Sequence, residues 1–277
     1  YIKYYLQCEG EDGNSYVTSG ELLANIYNAF DGKENISENY YDSDGILVGT
    51  NIGRAIDELS EKGVIKVEDG ENKSRRRIYL TEYWELENQI SNHLKRLMKS
   101  GNHFNYGNWR EKIEKLEEKQ GFKFAKEQLD GIKLGLDSQV CLISGLAGSG
   151  KSSLVSGILA SLDDYSFAQC ALSGKAAARL QEVTGQSGST IHRLLAYNPG
   201  TGFMYNENNP LPYDIIVLDE ISLVGGYIFL SLIRAIRDGC KLIMLGDMGQ
   251  LESIGALNLA YDIYNSETVP TVELKEV

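Results

Sequence analysis

The apolar positions of this chain follow helical spacing through its first part and short unbroken runs through its second. From Gly20 to Phe30 they fall at Leu22, Leu23, Ile26, Tyr27 and Phe30, the i, i+1, i+4, i+5, i+8 spacing of one helix face. Asn51 through Lys62 predicts a second helix, with Ile52, Ala55, Ile56 and Leu59 on one stripe and Gly63 as its C-terminal stop. Val64–Val67 and Arg77–Leu80 predict two strands around a polar turn, Asp69-Gly70-Glu71-Asn72-Lys73. Thr81 through Lys99 predicts a helix striped by Leu86, Ile90, Leu94 and Leu97. Trp109 through Lys119 predicts another, rich in Lys and Glu. Both are expected to lay their apolar faces on the unit that follows. Thr81 opens no capping box, because Trp84 stands where Glu or Gln is needed. Further on, Gln139–Ser144, Asp214–Leu218 and Lys241–Leu245 are near-continuous apolar runs, the mark of strands buried on both faces of a parallel sheet.

The chemistry sits at the ends of those runs. Gly145-Leu146-Ala147-Gly148-Ser149-Gly150-Lys151-Ser152 fits G-x-x-x-x-G-K-[ST] at every fixed position, between the first run and a helical pattern over Ser153–Leu162. Strand, glycine loop and helix together make an anion cradle from successive backbone N–H groups and a helix N-terminus. Gly145, Ala147, Gly148, Ser149, Gly150 and Ser153 are the candidate phosphate-binding positions; Lys151 adds a charge for the β/γ-phosphates and Ser152 a hydroxyl for Mg²⁺. The second run ends in Asp219-Glu220, where open α/β sheets bind ligands. Asp219 is the candidate metal acid and Glu220 the candidate general base. Taken alone the pair also reads as an acidic helix cap. The third run leads into Gly246-Asp247-Met248-Gly249-Gln250, whose Gln250 amide either senses a γ-phosphate or is a solvated turn residue.

These elements resemble the RecD-like superfamily 1 DNA helicases, which move 5′ to 3′, over roughly residues 80–277. Ala171-Leu172-Ser173-Gly174-Lys175-Ala176-Ala177 is similar to that family's strand-end segment gripping single-stranded DNA, and Ser189-Thr190-Ile191-His192-Arg193-Leu194-Leu195 to its Thr-x-His segment. The resemblance therefore implies DNA contacts from Ser173, Gly174, Lys175, Thr190 and His192. It also implies that Gln128, in Phe124-Ala125-Lys126-Glu127-Gln128, reads adenine, and that Tyr205-Asn206-Glu207-Asn208-Asn209-Pro210-Leu211-Pro212 is a duplex-splitting pin. Leu172 replaces a typical proline, and an acid near Gly225 and prolines near Met248 and Glu252 are missing, which bears on loop geometry. The family's hydrolysis-completing arginines lie in a second RecA-like domain, expected after Val277; with no Met or signal pattern at Tyr1, the chain is expected to be excised from something longer.

Composition adds limits. No apolar run is long enough for a membrane span, and the scattered Cys8, Cys141, Cys170 and Cys240 read as reduced cysteines of an intracellular, cytoplasmic protein without zinc spacing. The net charge of −12 provides no whole-molecule footprint for DNA, so positive charge would be confined to a groove, with Lys175, Arg179, His192 and Arg193 as local candidates. Lys73, Arg75, Arg76 and Arg77 could touch phosphates from a wing, but the acidic stretch 31–45 favours a structural or protein-contact role. The expected architecture is α/β: a winged-helix-like α+β domain over 1–80, linker helices over 81–120, and a P-loop, RecA-like parallel-sheet domain over 121–277 with a pin hairpin at about 201–212. The expected cofactors are ATP and Mg²⁺, and the expected partners single-stranded DNA or duplex with a 5′ tail. A P-loop ATPase of DNA transfer or repair that does not unwind, and a nucleotide-switched module binding a protein through its N-terminal domain, stay open.

Overall fold

A computed structural model describes residues 1–30, 39–41, 47–70, 75–101, 103–146, 148–247 and 257–275. It divides into two units, one built chiefly from Tyr1–Asn88 and the other from Gln89 onward.

The first unit runs α1 (Ile2–Glu11), β1 (Tyr16–Thr18), α2 (Ser19–Phe30), β2 (Asn39–Tyr41), β3 (Leu47–Thr50), α3 (Asn51–Glu61), β4 (Ile65–Glu68) and β5 (Arg77–Leu80). α2 starts where it does because Thr18 and Glu21 cap each other's backbone: Glu21 Oε2 accepts from Thr18 N at 2.8 Å, and Thr18 Oγ1 accepts from Glu21 N at 3.2 Å. Thr50 Oγ1 caps α3 by accepting from Gly53 N, and Gly63 ends that helix at φ +68°. β4 and β5 form the expected antiparallel hairpin, and β1, which periodicity does not announce, adds to β5 for the order β1-β5-β4. The expected winged-helix-like order of helix, helix and hairpin is interrupted by the antiparallel pair β2–β3 between α2 and α3. Val17, Leu22, Ile26, Ile52, Ile65, Ile78 and Leu80 form the core of this unit. In the wing, Arg76 pairs with Asp69 at 3.4 Å and Arg77 with Glu68 at 3.7 Å; Lys73 lies outside the described residues.

α4 (Thr81–Lys99) matches its expected span, its stripe Leu86, Ile90, Leu94 and Leu97 is buried, and the division between units falls inside it. In the second unit α5 (Trp109–Gln120), α6 (Lys126–Asp137), β6 (Val140–Gly145), α7 (Lys151–Ser161), β7 (Phe167–Ala171), α8 (Gly174–Thr184), β8 (Gly188–Thr190), α9 (Ile191–Leu194), β9 (Tyr197–Asn198), β10 (Gly202–Phe203), β11 (Ile215–Leu218), α10 (Gly226–Ala235), β12 (Lys241–Gly246), α11 (Leu259–Asn265) and β13 (Thr271–Leu274) follow. Six of the strands form one parallel sheet in the order β13-β6-β12-β11-β7-β8. Every residue of β6, β11 and β12 is buried, as their unbroken apolar runs require. Cys141, Cys170 and Cys240 are buried free thiols.

Two contacts fix the sheet's flank. α6 and α7 approach through glycines. A Cβ at Gly131 would lie 2.5 Å from Leu154 Cδ1, one at Gly157 2.5 Å from Ile132 Cδ1, and one at Gly135 would strike Ile158. Lys241, fully buried at the start of β12, donates to the α6 terminal carbonyls of Gly135 (2.9 Å) and Leu136 (3.1 Å) and to Ser138 O. Burial pushes its ammonium down to about 8.

Candidate nucleotide-binding cleft

The glycine loop leaves the carboxyl end of β6 and enters α7 at Lys151. Gly148 and Gly150 sit at φ +88° and +87°, in the left-handed region that favours glycine, and this turns the loop back over the helix N-terminus. Ala147 lies outside the described residues. A Cβ on Gly150 would strike Gln128 Nε2, so the Gln128 carboxamide lies directly against the loop. Its Oε1 accepts from Ala125 N at 3.0 Å, which fixes the amide at the start of α6.

β12 is the sheet neighbour of β6, and β11 is the next strand. Their carboxyl ends therefore bring Asp219, Glu220, Gly246 and Asp247 beside the loop, where strand order reverses in an open α/β sheet. Gly148, Gly150, Lys151, Ser152, Ser153, Arg179, Asp219, Glu220, Gly246 and Asp247 line one cleft of about 210 Å³. Lys151 Nζ donates to Leu146 O at 2.9 Å and to Gly145 O, the loop's own carbonyls. Burial lowers its ammonium below the usual lysine range, against the opposing pull of Asp247 and Asp219. Asp219 is raised above the usual carboxylate range by burial, although Oδ1 accepts from Glu220 N at 2.8 Å and Lys151 and Arg179 lie near. Glu220 is raised too, by burial and then by Asp219. It adopts φ +54° and ψ +43°, a backbone conformation costly for a residue with a Cβ, just ahead of a short 3₁₀ turn over Ile221–Leu223.

The donor set suits a hard cation bound together with phosphates. Ser152 and Asp219 offer oxygen ligands. Ser149 Oγ is buried without a hydrogen-bond partner in the loop. Among the described residues no group of three or more His, Cys, Asp or Glu could hold a metal by itself, so phosphate oxygens and water would complete its shell.

A second set of expected residues meets at the same edge of the sheet. Ala171 pairs with Thr190, so the segments following β7 and β8 leave the sheet side by side. Ser173 Oγ caps α8 by accepting from Ala176 N at 3.1 Å, which leaves Gly174 and Lys175 exposed on its first turn. Thr190 Oγ1 caps α9 by accepting from Arg193 N at 3.2 Å. The His192 ring packs on Tyr197 and Phe203, centroids 5.6 and 5.8 Å away.

Three expectations change. Arg179, grouped with the strand-contacting bases, lines the nucleotide cleft instead. The two-stranded ladder expected over 201–212 starts earlier: Tyr197–Asn198 pairs with Gly202–Phe203, and the rest is a turn closed by the Asn206 and Asn209 backbones. Asp247, not singled out as a site residue, follows β12 into the cleft as Asp219 follows β11; that parallel placement was the signal available. Gln250 lies outside the described residues.

A parallel sheet with a glycine loop after one strand and carboxylates at the ends of its neighbours defines a P-loop domain of the RecA-like class. A family model described as AAA domain matches residues 128–256. Over 145 residues the chain is 38% identical to the ATP-dependent RecD2 DNA helicase of Deinococcus radiodurans, covering 50% of this chain and 19% of that protein. Over 219 residues it is 30% identical to the RecBCD enzyme subunit RecD of Mycobacterium tuberculosis, covering 70% and 37%. A crystal structure of the Pif1 helicase from Candida albicans aligns with 26% identity and a TM-score of 0.43, covering 56% of this chain and 40% of that one. The chain is a relative of the RecD-like superfamily 1 helicases. It spans well under half the length of the curated relatives it matches. Among the described residues no helix is long and apolar enough to cross a membrane.

Proposed function

We propose that the chain is the nucleotide-binding part of an ATP-dependent DNA helicase that moves 5′ to 3′ along single strands. The observation that carries this reading is the adjacency of two sites on one sheet edge. The cleft of Lys151, Asp219 and Glu220 lies at the ends of β6 and β11, and Ser173–Lys175 and Thr190–His192 leave β7 and β8 next along the same edge. Bound ATP and Mg²⁺ would supply the phosphoanhydride and the charge that neutralises its leaving oxygens. Gly148, Gly150 and Lys151 hold the phosphates, Ser152 and Asp219 hold the cation, and Gln128 borders the loop from α6 on the base side. Glu220 takes a proton from the attacking water. Its burial beside Asp219 raises its proton affinity, which suits that step. Lys175, Thr190 and His192 contact strand phosphates, and Gln250 couples the terminal phosphate to that contact.

For the first unit we favour a protein partner. Arg76 and Arg77 are already paired with acids of the same hairpin, so the wing offers little free positive charge to a phosphate backbone. The test is ATP turnover by the full-length protein with and without single-stranded DNA, together with unwinding of a duplex bearing a 5′ or a 3′ tail. Strong stimulation and unwinding from the 5′ tail alone are expected. Turnover indifferent to DNA would leave a nucleotide-switched module, and stimulation without unwinding a non-unwinding ATPase.

A further inference from the structure

Arg179 has no place in the roles assigned above. It lies in α8, one turn beyond Lys175, and its side chain is exposed. It lines the cleft with Lys151, Asp219, Glu220 and Asp247, and its charge acts on Asp219, Glu220 and Lys151 without being the main influence on any of them. Lys151 differs, being held on the carbonyls of Gly145 and Leu146. The cleft therefore has two cations, one tethered to the phosphate loop at the end of β6 and one carried by the helix that follows β7. β7 is separated from β6 by β11 and β12. A phosphate chain seated on the loop at α7 and running toward Asp219 and Glu220 brings its terminal group toward Arg179.

We propose that Arg179 is a terminal-phosphate contact, through which this unit tells a nucleoside triphosphate from a diphosphate. The inference rests on the nucleotide-binding reading above. Arginine suits the task because its planar fork can take two oxygens of one phosphate at once and stays charged at any working pH. A diphosphate seated on the same loop leaves that fork in solvent. Contact with the terminal phosphate also ties α8 to the nucleotide, and α8 presents Ser173, Gly174 and Lys175 at its N-terminus, one turn before Arg179. The triphosphate would thus hold the helix whose first turn is assigned to the DNA strand, and its loss would release it.

The test is calorimetric titration of this chain with Mg²⁺–ATPγS and with Mg²⁺–ADP, for the wild type, Arg179→Ala, Arg179→Lys and Lys151→Ala. Arg179 is exposed, so its variants are expected to fold, and their thermal melts provide the check. The wild type is expected to bind the triphosphate more tightly than the diphosphate. Arg179→Ala should weaken ATPγS by about tenfold or more, the size of one charge-assisted contact, while ADP changes less than about twofold. Arg179→Lys should fall between, and Lys151→Ala should weaken both ligands. A wild-type preference of one, or a preference that Arg179→Ala leaves unchanged, overturns the role of Arg179 while leaving nucleotide binding intact. A wild type that binds neither ligand overturns the nucleotide-binding reading, and this inference with it.

Discussion

Gly157 is one of three glycines through which α6 and α7 approach closely. A methyl group there would meet Ile132 Cδ1 at 2.5 Å, Ile132 Cγ1 at 3.1 Å and Ile113 Cδ1 at 3.2 Å, from α6 and α5. Carbon pairs settle at about 3.5–4.0 Å, so the first contact is an overlap of about 1 Å. Ile132 and Ile113 are buried, with little room to turn. Overpacking of this kind costs about 1–3 kcal/mol, and Gly→Ala in a helix interior recovers about 1 kcal/mol. Gly157→Ala should therefore destabilise the second unit by up to about 2 kcal/mol. Ile132→Val alone should cost about 0.5–1.5 kcal/mol for the lost methyl. That methyl is the atom in the way, so the double variant should be more stable than the sum of the two by about 1 kcal/mol or more. Urea unfolding, followed through Trp109 in the same core, measures all four corners. Additivity within about 0.3 kcal/mol would mean that α6 and α7 part rather than clash, and the close approach would lose its meaning.

Asp219→Asn should stabilise the ligand-free protein at neutral pH. Burial raises the folded-state affinity of Asp219 for its proton, so its contribution is present in acid and is lost as pH rises above the unfolded value of about 3.9. The variant should escape that loss, with the difference in urea midpoint widening from pH 4 to 7; equal or lower stability at pH 7 would refute the sign. In the full-length protein, Glu220→Gln should slow ATP hydrolysis by about 10²–10⁴-fold with nucleotide binding kept, and near-normal turnover would make Glu220 a structural acid. Lys175→Ala with His192→Ala should weaken single-strand binding by the full-length protein and flatten its salt dependence by about 0.7 per lost phosphate contact. An unchanged slope would remove both residues from the groove.

The second unit was more legible than the first because its chemistry is tied to buried strands. β6, β11 and β12 are buried throughout and largely apolar, and the residues that follow their carboxyl ends line the cleft, so the strand ends pointed to Lys151, Asp219 and Glu220 together. β1 and β8 have only three residues each and exist through their partners β5 and β7, which no local pattern reveals. α1 went unread because only Ile2, Leu6 and Gly10 of its ten residues are buried, too few for a stripe. Thr18-Ser19-Gly20-Glu21 did carry a capping box that would have started α2 correctly. Arg179 was misassigned for a geometric reason. Lys175, one turn before it, belongs to the strand-contact segment, but which way α8 turns Arg179 depends on how the helix sits against β7 and β8, and composition is silent on that.

The position of β6 in the sheet has a consequence for how the molecule is made. Its two neighbours are β12, which begins about a hundred residues later at Lys241, and β13, which begins at Thr271. Until those segments have left the ribosome, the strand that launches the phosphate loop has no hydrogen-bonding partner on either side. β7 and β11 are closer in sequence and can pair first. Long-range parallel pairing is slow to close and leaves apolar edges waiting. The nucleotide loop is thus among the last pieces of this unit to find its place, and a chain released before β12 would expose Val140, Cys141, Leu142 and Ile143 as a bare apolar ribbon.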